Sequence, residues 1–142
     1  MTVIGVDLGG TRIRAGAVGA DGRILARTES LTDPRRGPAA VLATLRQTVT
    51  ELAAPLAGLD ALGVACAGMI DPATGAVVDA TNLGWRNLPL GAELRQALGA
   101  PVLIENDVRA ASWGEFRFGA GAGENSLIAV FVWWYRGVKS GN

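Results

Sequence analysis

The 142 residues contain no histidine, one cysteine, one lysine and one tyrosine. Without histidine, Ser-His-Asp and Cys-His nucleophilic chemistry and imidazole-held metals are excluded. A single cysteine, Cys66, builds neither a disulfide framework nor a thiolate zinc site. An excess of either charge is missing too: thirteen basic residues balance thirteen acidic ones, and like charges never run beyond two in a row. That surface lacks the footprint of a nucleic-acid or anionic-membrane binder. No run reaches the ~18 apolar residues of a membrane span, and the start lacks the basic-then-apolar plan of a signal peptide. The expectation is a cytoplasmic protein with no nucleic-acid or membrane partner.

What is present can fold. Apolar residues make up 49% of the chain, enough for a core within one domain. Thr2–Val6 is a short apolar run that suits a strand. Ile13, Ala15 and Ala17 alternate with Arg12, Arg14 and Gly16, a period-two strand. Asp21-Gly22 marks a hairpin turn before a third strand at Ile24–Glu29. Thr32–Pro38 reads as a loop. Val41, Leu42, Leu45, Val49, Leu52 and Leu56 recur at helical spacing.

The pattern then gives a strand at Ala61–Ala67, a loop at Gly68–Gly75, and a short strand at Ala76–Val78. A polar loop follows at Ala80–Trp85. A helix over Leu90–Leu98 closes at Gly99, and a strand occupies Pro101–Ile104. A helix over Val108–Phe118 and a last strand at Leu127–Trp133 complete the order. A three-strand meander followed by alternating helices and strands implies an α/β domain with a mixed sheet.

Four segments interrupt this plan. Asp7-Leu8-Gly9-Gly10-Thr11 lies between two strands, so it is neither a Walker A loop nor a dinucleotide fingerprint. Its glycines bring N–H groups close to an anion, and Thr11 adds a hydroxyl. Asp7 suits Mg²⁺ held through water, and Arg12 and Arg14 suit phosphate. An ordinary Gly-Gly hairpin turn with surface arginines accounts for the same residues. Glu105-Asn106-Asp107 ends one strand and opens a helix. A carboxylate there can take a proton from a hydroxyl, and Asn106 offers both a donor and an acceptor. Helix capping accounts for them equally. Gly68 and the Thr81-Asn82 pair sit in loops that could line a small polar ligand. Cys66 reads as a buried inert thiol.

In this order the segments resemble the N-terminal half of the ROK family of sugar kinases and sugar-responsive repressors. They are Asp7–Thr11 with Arg14, Leu62–Gly68 with Asp71-Pro72 and Gly75, Asn82–Trp85, and Ile104–Asp107 with Ala110-Ala111. The resemblance implies an actin-like ATPase fold of ribonuclease-H-like topology. It further implies ATP-dependent phosphorylation of a hexose, in the manner of a glucokinase, with ATP and Mg²⁺ as cofactors and a homodimer in the intact family. By that resemblance Asp7, Gly9, Gly10, Thr11, Arg12 and Arg14 bind ATP phosphates. Gly68, Thr81, Asn82, Asn106 and Asp107 surround the sugar, and Asp107 is the catalytic base.

The resemblance also has gaps. The repressor branch carries a helix-turn-helix ahead of this fold, whereas here the first strand is expected from residue 2. Phe131–Arg136 stands where the family has a Gly-Thr-Gly phosphate loop, and the family's zinc cysteines and histidine are absent. The expected organisation is an actin-like domain over 1–130 and an aberrant tail over 131–142, with the family's C-terminal domain missing by truncation or frameshift. The alternative is a non-catalytic sugar- or nucleotide-binding half-domain, or a fragment of a sugar-sensing regulator. An actin-like activator of a radical enzyme needs a cysteine-held iron–sulfur cluster, which Cys66 alone cannot supply.

Overall fold

A computed structural model describes residues 1–56 and 58–132. The elements run β1 (Val3–Leu8), β2 (Arg12–Val18), β3 (Ile24–Leu31), α1 (Pro38–Ala53), β4 (Ala61–Cys66), β5 (Met69–Asp71), β6 (Ala76–Ala80), β7 (Trp85–Leu88), α2 (Leu90–Leu98), β8 (Val102–Asn106) and α3 (Asp107–Phe118). A five-stranded sheet has the order β3-β2-β1-β4-β8, and a second, three-stranded sheet has the order β5-β6-β7. The meander β1-β2-β3 is antiparallel, while β1, β4 and β8 run parallel. The sheet is therefore mixed, as the order of elements requires. Among the described residues no helix is long and apolar enough to cross a membrane.

Alternation decides which face is buried. Ile4, Val6 and Leu8 of β1, Ile13, Ala15 and Ala17 of β2, and Leu62, Val64 and Cys66 of β4 all point to one side and are buried. Helix α1 covers that side with Val41, Leu42, Leu45, Val49 and Leu52, the residues of its helical stripe. Each large side chain fully buried there contributes about 1.5–3 kcal/mol by leaving water. Pro38 sits in the first turn of α1, where a missing N–H costs nothing. Gly99 ends α2 in the left-handed conformation, with its N–H donating to the Arg95 carbonyl at 3.0 Å. On the opposite face Gly5 and Asp7 stay exposed, and α3 leans on β4 and β8 without burying any residue.

Three expectations are corrected. The Gly68–Gly75 segment is not all loop: Met69–Asp71 forms β5, paired to β6. Trp85 does not line a loop. It opens β7, is 2% exposed, and is the largest fully buried side chain among the described residues. The apolar run expected as a strand at Leu127–Trp133 has no strand over 127–132, since a strand needs a partner's ladder and this run finds none among the described residues. Trp133, with most of the expected tail, lies outside the described residues. Thr32–Pro38 also holds a short 3₁₀ turn at Pro34–Arg36.

Candidate functional site

Register aligns the ends of the three parallel strands. Leu8 of β1 pairs with Cys66 of β4, and Cys66 pairs with Asn106 of β8. One row earlier stand Asp7, Ala65 and Glu105. The segments that leave these strands, Gly9–Thr11, Ala67-Gly68 and Asp107, therefore issue from a single edge. The carboxyl edge of a parallel sheet is where α/β proteins hold ligands. The Cys66 thiol reports the same convergence. Burial first, and then the negative charges of Asp107 and Asp7, together push it up to about 12. Two carboxylates 100 positions apart in the chain thus act on one buried atom.

The first turn is tightly tied. The Gly9 N–H donates to the Arg12 carbonyl at 3.0 Å. Thr32 clamps the turn from beneath: its N–H donates to the Thr11 carbonyl at 3.0 Å and its hydroxyl to the Gly9 carbonyl at 2.7 Å. Thr32 is 1% exposed although it sits in the Thr32–Pro38 loop. A lone threonine before a proline turn gives no signal of a role 23 residues away. Gly10 is needed for close approach, since a Cβ there would stand 3.0 Å from the Asn82 carbonyl oxygen. That contact sets the first turn against the Thr81–Gly84 turn. Arg12 and Arg14 are both engaged, Arg12 by Glu29, and Arg14 by Asp7 at 3.4 Å and Glu29 at 3.9 Å.

The other side of the edge is built around Gly68. Its φ is +149°, and a Cβ there would fall 2.4 Å from the Asp79 carbonyl oxygen. Only glycine fits, because β6 passes directly against it. The Gly68 carbonyl accepts from Asn106 Nδ2 at 2.9 Å, while Asn106 Oδ1 accepts from the Arg109 N–H at 3.1 Å. Asn106 thus caps α3 and fastens the β4–β5 connection with the same side chain. Glu105 accepts from the Asn106 N–H at 2.8 Å and pairs with Arg109 at 3.5 Å. Asp107 is the first residue of α3, half-buried, with Oδ1 accepting from the Val108 N–H at 2.9 Å.

Thr81 and Asn82 are exposed at the tip of the turn joining β6 to β7. The Thr81 hydroxyl donates to Asp79 Oδ1 at 3.2 Å, and Asp79 pairs with Arg86 at 3.2 Å. Gly10 against Asn82 ties the first turn to the β6–β7 turn, and Gly68 against Asp79 ties the β4–β5 connection to β6, while Arg14 lies on β2 opposite Asp7. At Asn106 the capping expectation is met.

Comparisons with known proteins identify the family and the fold. The sequence matches the ROK family over residues 3–138. It is 38% identical over 127 residues to a glucokinase of Streptomyces coelicolor, covering 89% of this chain and 39% of that one. The fold is similar to a ROK family glucokinase from Streptomyces griseus in complex with glucose and AMPPNP, with TM-score 0.79 and 39% identity over 87% of this chain and 38% of the other. It is also similar to an inorganic polyphosphate/ATP-glucomannokinase from Arthrobacter sp. strain KM, with TM-score 0.75 and 38% identity over 86% of this chain and 50% of that one. The chain spans about 40% of the length of the Streptomyces coelicolor enzyme. The actin-like ATPase fold is thereby established, and the chain belongs to the ROK family.

Proposed function

We propose that this chain carries the phosphate turn and the catalytic base of an ATP-dependent hexose kinase. The observation that carries the reading is the single edge uniting Gly9–Thr11 with Asn106-Asp107. Phosphoryl transfer asks mainly for positioning and charge neutralisation, and the two halves of this edge divide that work. Gly9, Gly10 and Thr11, with Arg12 and Arg14, hold the phosphates. Gly68, Thr81, Asn82 and Asn106 shape the sugar side, and Asp107 takes the proton of the accepting hydroxyl. Mg²⁺ fits Asp7, a single exposed carboxylate at a strand end, because that ion keeps much of its water and takes phosphate oxygens. When bound it neutralises charge on the phosphates.

A second reading has its own support. Because the chain spans 39% of the Streptomyces coelicolor glucokinase, it can act as a sugar- or nucleotide-binding half-domain without turnover. One assay separates the two: ADP release from ATP by the full 142-residue chain, with and without glucose. The kinase reading expects glucose-stimulated release, lowered about 100-fold or more by Asp107→Asn, the usual worth of a positioned base. Glucose binding by calorimetry with no ADP release selects the half-domain. A chain that neither binds glucose nor releases ADP defeats both.

A further inference from the structure

Four charged side chains form a line across the outer face of the five-stranded sheet. Asp7 on β1 meets Arg14 on β2 at 3.4 Å, Arg14 meets Glu29 on β3 at 3.9 Å, and Glu29 also takes Arg12 Nη1. Strand register fixes this line: Asp7 lies opposite Arg14, and Arg14 lies opposite Glu29. Arg27, two residues from Glu29 on β3, joins Asp7 and Arg14 along a shallow groove with Gly5 and Gly16 as its floor. The line begins beside the Gly9–Thr11 turn, whose Gly9 N–H donates to the Arg12 carbonyl at 3.0 Å. Arg12 and Arg14 share one face of β2, so Glu29 also screens them from each other. An anion that reaches the turn must compete with Glu29 for both guanidinium groups.

We propose that Glu29 sets the phosphate affinity of this turn by holding Arg12 and Arg14 in reserve. The inference rests on the reading of Gly9–Thr11 as a phosphate-binding turn. A phosphate chain draws one or both arginines off Glu29, exchanging a carboxylate for oxygens that the guanidinium fork matches in two contacts at once. The exchange costs little, because half-exposed ion pairs are weak. Moving Arg14 toward phosphate also withdraws it from Asp7. The Asp7 carboxylate is then released when a phosphate chain brings a divalent cation with it, so the two binding events reinforce each other.

The test titrates inorganic tripolyphosphate, without divalent cation, into the full 142-residue chain. Wild type, Glu29→Gln and the double variant Arg12→Gln/Glu29→Gln are compared by calorimetry at low and high salt. Glu29→Gln is expected to tighten tripolyphosphate binding roughly two- to fivefold, the worth of an exposed ion pair. The gain shrinks as salt rises, and the double variant loses it. Where the glutamine variant does not fold, as judged by its melting midpoint, Glu29→Asp keeps the charge, shortens its reach, and is expected to gain less. Unchanged or weaker affinity in a folded Glu29 variant overturns the proposal, and so does a chain in which neither wild type nor variant binds tripolyphosphate. The probe needs no sugar. A Glu29→Gln gain in a chain that phosphorylates no hexose keeps the role of Glu29 and sinks the kinase reading. Hexose phosphorylation with unaltered tripolyphosphate affinity does the reverse.

Discussion

Cys66 shows how strongly single residues at this edge feel one another. The side chain is 0% exposed, and its thiol is pushed up to about 12 by burial and by the charges of Asp107 and Asp7, against an ordinary value of 9.0. The folded chain therefore keeps its proton between about pH 9 and 12, whereas the unfolded chain loses it. With more protons bound in the native state, stability falls as pH rises through that window, by up to about 1.4 kcal/mol per pH unit. Below pH 9 the contribution is fully present. Urea unfolding at several alkaline pH values is expected to show this slope in the wild type and a shallower one in Cys66→Ala, the difference isolating Cys66 from tyrosine and lysine. Equal slopes would mean that the thiol ionises as readily folded as unfolded. From sequence, the burial of Cys66 was legible in its small-residue apolar strand. Its two carboxylate neighbours were not, because only parallel register brings positions 7, 66 and 107 together.

At the scale of elements, Asn106 joins a helix to a turn. Its Oδ1 caps α3 and its Nδ2 holds the Gly68 carbonyl. Asn106→Ala removes both bonds and is expected to cost about 1–2 kcal/mol in urea unfolding. Asn106→Ser offers a capping oxygen without an amide that reaches Gly68, so it is expected to cost less. If the serine variant loses as much as the alanine one, the bond to Gly68 and not the cap is what Asn106 contributes.

The strands and helices that the sequence made visible are those with a sustained period. The stripe of α1 and the alternation of β2 are examples. The elements it hid lack one. Met69–Asp71 has three residues, and β7 is interrupted at Asn87, whose φ is +49°. Leu127–Val132 fails for the opposite reason: its composition favours a strand, but composition supplies no partner. Local pattern gives propensity, and only the completed sheet gives pairing.

For the whole molecule, the two faces of the main sheet are unequal. One is sealed by α1; on the other Leu103 is 68% exposed, and α3 presents Trp113 at 62% and Phe118 at 73%. Beyond α3, Ile128 is 91% and Val132 84% exposed. Apolar side chains exposed in this number are a surface that an apolar ligand or another body can cover. The full 142-residue chain is therefore expected to raise the fluorescence of an apolar dye such as ANS under native conditions while still melting cooperatively. Cooperative melting separates an open but folded surface from a molten globule, which binds the dye and loses its fixed packing. The double variant Trp113→Ser/Phe118→Ser is expected to lower the dye signal with its melting midpoint nearly kept, because neither side chain belongs to the core. A wild-type chain that leaves the dye dark has this surface covered. Sedimentation then distinguishes the causes: a dimer assigns the cover to a second copy, and a monomer assigns it to the chain's own residues.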